Sequence, residues 1–362
     1  MVKSPKQKTS ASGYAARGEC EVSALEKEKE KKLTIRDIAA LAGVSKTTVS
    51  FYLNGKTEKM SAETGARLHD IIEKYHYTPN VAARMVNRKQ SLLIGVIIGD
   101  ITNSFSNQIV KGIEDTAREQ GYQILIGNSS YRPEDETGHV ERMLRLGVDG
   151  FIIQPSSQFQ HLREHIRNAG KPLVYFDSKL YASDSCWVKT DNYEATCRAI
   201  ETCIARGYRS FLMIGAKPSL LSTRIERSAG FLDTVNAHRL PCSAMEIAEN
   251  GLDLGEIHRT VQTALRRVPP LLVYVPNCWA LPSVFTALQP LRSEMPKQLG
   301  LIGFDNTEWT QFSDPRITTI VQPAYAEGRS ACRILLSELS APTNRPVQET
   351  LECTVNWEGS TL

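Results

Sequence analysis

The chain has 362 residues, 41% of them hydrophobic, and a net charge of only +3. These values indicate a globular protein long enough for two or three domains with substantial cores. No apolar run is long enough to span a bilayer and the N-terminus has no signal-peptide core, so we expect a soluble, cytoplasmic protein. The eight cysteines show no CxxC pair and no metal-ligand spacing, which favours scattered reduced thiols; neither a metal nor a cofactor is expected.

The charge is unevenly distributed along the chain. Residues 31–90 carry 11 Lys and Arg against 5 Asp and Glu, whereas residues 91–362 carry 26 against 30. A basic head on a mildly acidic body is typical of a protein whose head meets phosphates and whose body does not. Residues 1–31 are polar and run into a stretch of alternating charges, so we predict a disordered extension there, with lysine contacts to DNA as the alternative.

The stretch Thr34–Asn54 predicts two short helices joined by a glycine turn. Thr34 is a good N-cap, and apolar residues recur after it at helical spacing. Gly43 permits the positive φ of a sharp reversal, and Ser45 can cap a second helix. The outward face of that helix carries Lys46, Thr47 and Ser50, a polar surface suited to base edges in the major groove. This pattern favours a helix-turn-helix over an ordinary αα-corner.

Two further segments complete the N-terminal region. Ser61 begins a predicted third helix, whose buried stripe is Leu68, Ile71, Ile72 and Tyr75. Residues 79–86 follow, a segment that can form a helix but is too short to hold one alone.

Beyond Ser91 the pattern alternates between apolar strands and amphipathic helices. Strands are predicted over Leu92–Gly99, Tyr122–Asn128, Gly150–Gln154, Pro172–Asp177, Ser210–Gly215, Leu271–Val275, Leu299–Phe304 and Glu349–Asn356. Helices are predicted over Asn103–Gln120, Pro133–Leu146, Phe159–Ala169, Tyr193–Arg206, Arg224–His238, Leu254–Val268, Pro282–Leu291 and Tyr325–Leu339. Two such series predict two α/β lobes with parallel sheets covered on both faces, and a ligand crevice at the carboxyl ends of the strands.

The motifs TIRDIAALAGVSKTTVSFYLNG and YHYTPNVAARMV, followed by KQSLLIGVII, resemble the lactose-repressor (LacI/GalR) family of bacterial transcription regulators. The resemblance implies a lambda-repressor-like helix-turn-helix domain over 32–78, a hinge helix and linker over 79–91, and a core over 92–362 that binds effector and dimerises. That core would resemble periplasmic binding proteins, with the chain crossing several times between an N-lobe (about 92–189 and 322–347) and a C-lobe (about 190–321 and 348–362). The family usually begins near Lys32, so the N-terminal extension is a departure.

The resemblance also implies which residues meet DNA. Lys46 and Thr47 occupy the positions that read bases, and Phe51 would contact a thymine methyl or simply pack. The residues that would contact phosphates and fix the register of the protein on the DNA are Thr34, Thr48, Ser50, Asn54 and Lys56. A hinge formed around Asn80, Ala83, Arg84 and Val86 would fold on the operator and enter the minor groove, with Val86, helped or not by Met85, in place of the family's usual Leu wedge. The alternative for this segment is a plain linker.

For the effector, the resemblance points to loops at the strand ends. The candidates are Asp100, Phe105, Asp177, Asp191, Arg227, Asn277, Asp305 and Gln322. Carboxylates can accept hydrogen bonds from neighbouring hydroxyls, and arginine offers a rigid fork of donors. An aromatic side chain, Phe105 or Trp187, can cover the apolar face of a sugar.

One departure from the family bears on the ligand. Asn277 stands where the family often has an acidic residue, and Lys189 and Arg224 add cations nearby. A site with one carboxylate fewer and with additional cations favours an acidic ligand, such as a uronate or a keto-deoxy sugar acid, over a neutral sugar.

These features predict a repressor of carbohydrate or sugar-acid catabolic genes, in which a homodimer reads a near-palindromic operator and a small effector releases it. Corepression stays open, as does a regulator of the same fold that binds a non-sugar metabolite or a partner protein. A sugar-transport protein would share the core but lack residues 32–90. An enzyme is not expected, because the sequence has no Gly-rich phosphate loop, no nucleophile elbow and no HExxH.

Overall fold

The computed structural model describes residues 33–53, 55–77, 90–156, 158–178, 184–218, 221–248, 251–305, 307–343 and 345–362. The chain divides into two compact units, Met1–Lys89 and Gln90–Leu362. Within the described ranges, no helix is both long and apolar enough to cross a membrane.

The described residues of the first unit form the α-helices α1 (Ile35–Ala42), α2 (Lys46–Leu53) and α3 (Ala62–Lys74), with a short 3-10 turn over Thr57–Lys59. Local sequence sets these limits. The carboxylate of Asp37 accepts a 2.7 Å hydrogen bond from the Thr34 amide, and Gly43 ends α1 at a φ of 63°. The hydroxyl of Ser45 accepts from the Thr48 amide at 3.1 Å, which caps α2. The predicted helix-turn-helix is therefore confirmed.

The core of this unit is small and apolar, built from Ile38, Ala39, Ala42, Val49 and Leu68. The predicted stripe of α3 is wrong at its end. Tyr75 is 43% exposed, because α3 stops at Lys74 and the chain reverses at His76, whose φ is +45°. Tyr77 packs against the core instead.

The second unit is the predicted α/β core. Its strands are β1 (Leu93–Ile98), β2 (Gln123–Asn128), β3 (Gly150–Ile153), β4 (Leu173–Phe176), β5 (Cys186–Thr190), β6 (Ser210–Gly215), β7 (Cys242–Glu246), β8 (Leu271–Val275), β9 (Leu299–Phe304), β10 (Thr318–Val321), β11 (Gln348–Leu351) and β12 (Thr354–Asn356). Its helices are α4 (Ser104–Glu119), α5 (Pro133–Arg145), α6 (Gln160–Asn168), α7 (Asn192–Ala205), α8 (Ser222–Ala237), α9 (Leu254–Arg267), α10 (Leu281–Ala287), α11 (Thr307–Thr310) and α12 (Ala324–Ser340), with a 3-10 segment over Gln289–Glu294.

These strands form two six-stranded sheets, one in each lobe. The first lobe has the order β11-β5-β4-β3-β1-β2 and the second β12-β10-β9-β8-β6-β7. Every pairing is parallel except that of β12 with β10. The central strands are buried on both faces, as their continuous apolar runs predict.

The chain crosses between the lobes three times: after β5, after β10 and between β11 and β12. The single closing strand predicted over 349–356 is therefore wrong. Residues 348–351 pair with β5 in the first lobe, and only 354–356 belong to the second, so the first lobe extends beyond its predicted limit at 347. Sequence reading also missed the strands β5, β7 and β10. Their polar or short runs show neither clean alternation nor a long apolar stretch, and pairing with neighbouring strands determines them.

Candidate functional site

The start of α2 is an exposed part of the helix-turn-helix. Lys46 and Thr47 are exposed there, one turn after the Gly43 reversal. Thr48 and Phe51 are half-buried: the Thr48 hydroxyl lies 3.0 Å from that of Ser45, and the Lys59 ammonium lies 5.0 Å from the centre of the Phe51 ring. The Phe51 ring therefore contacts Lys59 and keeps part of its surface exposed. Asn54 and the hinge candidates Asn80, Ala83, Arg84 and Val86 lie outside the described residues.

In the second unit, a cavity of about 300 Å³ opens between the carboxyl ends of the two sheets. Both lobes line it. Its walls are Gly99, Asp100, Asn103, Phe105, Ser130, Tyr131, Gln154, Asp177, Leu221, Thr223, Arg224, Arg227, Asn277, Cys278, Trp279, Asp305 and Gln322. Seven of the eight predicted effector residues are among them.

Each lobe presents one aspartate to the cavity in the same way. Asp177 follows β4 and Asp305 follows β9, and both have a φ of 55°. Asp tolerates this left-handed conformation better than most residues do. The side-chain amide of Gln154 donates to Asp177 at 2.7 Å, and that of Gln322 donates to Asp305 at 2.7 Å. The two carboxyls are therefore held in fixed positions at equivalent strand ends.

Asp177 differs from Asp305, whose two carboxylate oxygens both accept from Gln322. Oδ1 of Asp177 is buried and has no hydrogen-bond partner among the described residues. Burial raises the pKa of Asp177 to about 6, although the nearby Arg227 guanidinium opposes the shift. Glu327, the first-turn carboxyl of α12, accepts from the Asp177 amide at 2.7 Å, and burial raises its pKa well above the usual range.

Arg227 is the rigid donor of the site. Its Nε donates to Asn192 at 2.7 Å, a terminal nitrogen donates to the Pro276 carbonyl at 2.8 Å, and its guanidinium lies 3.7 Å from the centre of the Phe304 ring. These contacts hold the plane of the guanidinium, and Arg227 lines the cavity. Such a guanidinium can bind a carboxylate or two neighbouring hydroxyls.

Tyr131 is a cavity residue that sequence reading missed. It and Ser130 both have positive φ values, +56° and +50°, an unfavourable pair for residues with side chains. The ring lies across Gly99, where a Cβ would sit 2.2 Å from the ring carbon Cε1. Burial raises the pKa of its hydroxyl, so Tyr131 is a neutral hydrogen-bond donor at physiological pH. The available signal was its place after β2, at the same sheet edge as Asp100.

Comparison with known proteins gives this architecture a family. The model of lacI-family bacterial regulatory proteins matches residues 34–80, and that of a periplasmic binding protein-like domain matches residues 200–361. The transcriptional regulator PtxS of Pseudomonas putida is 30% identical over 312 residues, covering 85% of this chain and 90% of PtxS. The chain belongs to the LacI family of bacterial regulatory proteins. It is a DNA-binding transcriptional regulator.

Other members of the LacI family agree in extent and fold. The regulator KdgR of Bacillus subtilis is 28% identical over 331 residues, covering 89% of this chain and 96% of KdgR. The crystal structure of the lac repressor dimer bound to operator and an anti-inducer superposes with a TM-score of 0.79 at 22% identity, covering 92% of this chain and all of that chain. The similarity spans the head and both lobes.

Asp191 is the one predicted effector residue of this LacI-family regulator that lies away from the cavity walls. Its Oδ1 accepts from the Cys353 amide at 2.7 Å, and its Oδ2 accepts from Arg198 at 2.7 Å. At the neighbouring residue, the Thr190 hydroxyl donates to Gln322 at 2.7 Å. Asp191 and Thr190 therefore tie the three interlobe crossovers together.

Two further candidates, Trp187 and Lys189, lie away from the cavity walls. Trp187 packs against the core of the first lobe, and the aromatic residue that lines the cavity from the second lobe is Trp279. Lys189 lies outside the cavity and pairs with Glu226, so of the two expected extra cations only Arg224 faces the ligand space. Strand register determines these directions, and a missed strand such as β5 leaves them undetermined.

Proposed function

We propose that this LacI-family regulator represses genes for the catabolism of a carbohydrate or sugar acid, and that a small effector in the interlobe cavity releases it from DNA. The observation that carries the proposal is the cavity itself. Two aspartates held by glutamines, one from each lobe, face a rigid arginine fork in a chain that also carries a helix-turn-helix. The lac repressor shares this fold and is known as a dimer on its operator, which supports a homodimer acting on a near-palindromic site in the cytoplasm.

On the DNA side, we propose that Lys46 and Thr47 read base edges in the major groove. Their exposure at the start of α2 supports this assignment. Thr34, Thr48, Ser50 and Lys56, together with Asn54, would fix register through phosphates. The hinge assignment of Asn80, Ala83, Arg84 and Val86 is part of the same proposal, as are the domain limits 32–78 and 79–91.

For the effector, two arginines that line the cavity beside its aspartates support a polyhydroxylated acid. Arg224 and Arg227 line one side, and Asn277 supplies an amide whose oxygen already accepts from the Ala216 amide at 2.8 Å. Asp177 and Asp305 would accept from ligand hydroxyls while an arginine binds the ligand carboxylate. The volume suits a monosaccharide-sized molecule. We propose binding without turnover, since both aspartates are engaged by glutamine amides.

Effector and operator binding would be coupled through the lobes. A ligand that contacts both aspartates favours one interlobe angle. If folding of the hinge segment depends on that angle, effector binding changes the affinity for the operator, and operator binding changes the affinity for the effector by the same factor.

The test is fluorescence anisotropy with the regulator's own promoter fragment. Neutral hexoses, hexuronates and 2-keto-3-deoxy sugar acids are added in turn, with Arg227→Lys as the matched variant. We expect salt-sensitive binding to the promoter, release by at least one sugar acid, and a response weakened by the variant. Tighter DNA binding with the ligand would indicate corepression. Release by neutral sugars alone would contradict the acidic effector, and no promoter preference under any condition would contradict the function.

A further inference from the structure

A partly buried ion pair joins the two lobes outside the cavity. The Lys189 ammonium donates to both carboxylate oxygens of Glu226 at 2.8 Å. The two side chains are only 12% and 17% exposed. Lys189 lies in β5 of the first lobe, and Glu226 lies in the first half of α8 in the second. Neither residue lines the cavity.

The elements that this pair connects carry the ligand groups. Helix α8 supplies Thr223, Arg224 and Arg227 to the cavity. Strand β5 pairs with β4 of the first lobe, and the amide of Asp177, the cavity aspartate after β4, donates to the Val188 carbonyl of β5 at 3.1 Å. The distance between β5 and α8 therefore determines how far apart the two halves of the site stand.

We propose that Lys189 and Glu226 are positioning residues that hold the two lobes at the separation seen here, so that ligand groups of both lobes reach one molecule. The inference rests on the proposed function only in identifying that molecule as the effector.

The physical reason is the cost of an unpaired buried charge. Removing one partner leaves the other charge without this counterion in a partly buried site, which is unfavourable. Separation of the lobes relieves that cost by hydrating the remaining charge. Removing both partners removes the cost altogether. A single substitution should thus favour separated lobes, whereas a paired apolar substitution should restore the arrangement described above.

The separation can be measured without DNA or effector. The hydroxyls of Ser178 and Ser222 lie 2.9 Å apart across the lobes, so a Ser178→Cys/Ser222→Cys background forms a disulfide only when the lobes are close. The rate of that cross-link in the full chain, followed by mass spectrometry of the linked peptides, reports closure. Lys189→Met, Glu226→Gln and Lys189→Met/Glu226→Leu are each placed in this background.

We expect the cross-linking rate to fall roughly tenfold in each single variant, as the closed fraction falls, and to return to near the parental rate in the double variant. Arg163→Met is the matched control, because Arg163 is similarly buried but pairs with Asp184 within the first lobe. Its rate should equal the parental rate. Single variants that cross-link as fast as the parent, or a double variant as slow as the singles, would overturn the proposal.

Circular dichroism melting shows whether each variant folds. If a single variant does not fold, the charge-swapped Lys189→Glu/Glu226→Lys chain is tested instead. A near-parental cross-linking rate in that chain supports the proposed role of the ion pair, and a slow rate refutes it. Because cross-linking needs no ligand, a failure of the sugar-acid effector would leave this outcome unchanged, so the two proposals fail separately.

Discussion

Asp177 gives the sharpest test of how the site is built, because its ionised form is expected to destabilise the fold. We consider Asp177→Asn. Asparagine has the same shape, tolerates the φ of 55°, and can still accept from Gln154. The substitution therefore removes the buried charge and little else.

The magnitude follows from the pKa. Burial raises the pKa of Asp177 to about 6 from the ordinary value of 3.8, and this difference corresponds to about 3 kcal/mol. Since the folded state holds this proton more tightly than the unfolded state does, the free energy of unfolding falls as pH rises from about 4 to about 6 and stays lowered above that. The Asp177→Asn variant lacks this pH-dependent loss of unfolding free energy.

Calorimetric melting of the full chain at several pH values measures the difference. We expect the core of Asp177→Asn to melt higher than the parent by roughly 6 °C or more at about pH 8, and by much less at about pH 4.5. Glu246→Gln, an exposed carboxyl on β7, should show no such pH-dependent gain. A variant that is less stable than the parent at all pH values would refute the reasoning. Effector affinity should fall despite the gain in stability, because the ligand loses a charged acceptor.

Other predictions concern Gly99 in the cavity, Lys46 on the exposed start of α2, and two glycines of the helix-turn-helix domain. Gly99→Ala places a Cβ 2.2 Å from the Tyr131 ring, so the ring must move into the cavity and effector affinity, measured by calorimetric titration, should fall roughly tenfold or more; unchanged affinity would contradict the assigned position of the ring. Lys46→Ala should weaken binding to the promoter by roughly 1–3 kcal/mol while binding to unrelated DNA changes less, as anisotropy would show; an equal loss on both would make Lys46 a phosphate contact. Gly43→Ala forces a side chain into φ +63° and should lower the stability of the head by about 1 kcal/mol. Gly65→Ala, in an open position inside α3, should raise it by a similar amount, and thermal melting that showed the same sign for both would contradict the cap assignment.

Much of the candidate site could be predicted because its residues follow strands. Asp177 and Asp305 come directly after long apolar runs, and parallel strands end at the same edge of a sheet, so their convergence follows from topology. Tyr131 was missed for the opposite reason. It lies in a loop of two successive left-handed residues, which no local pattern of Ser and Tyr predicts.

Residues near the crossovers could not be placed from sequence. Asp191 and Lys189 stand close to cavity residues along the chain, yet one binds the third crossover and the other pairs with α8. Their directions depend on the pairing of β5 with β4 and β11. The pairing of β5 with β11 joins segments more than 150 residues apart, which local periodicity cannot detect.

The amino-acid sequence alone determined the helix-turn-helix, the two-lobed α/β class and most strand-end ligand candidates. Each follows from a short-range cause: a cap, a glycine turn, a run of apolar residues or the residue after it. Only the tertiary structure decided which charges meet across the lobes, which aromatic residue faces the cavity and which lobe holds the last strand. Those outcomes depend on contacts between distant segments, where burial and pairing outweigh the preferences of any single stretch.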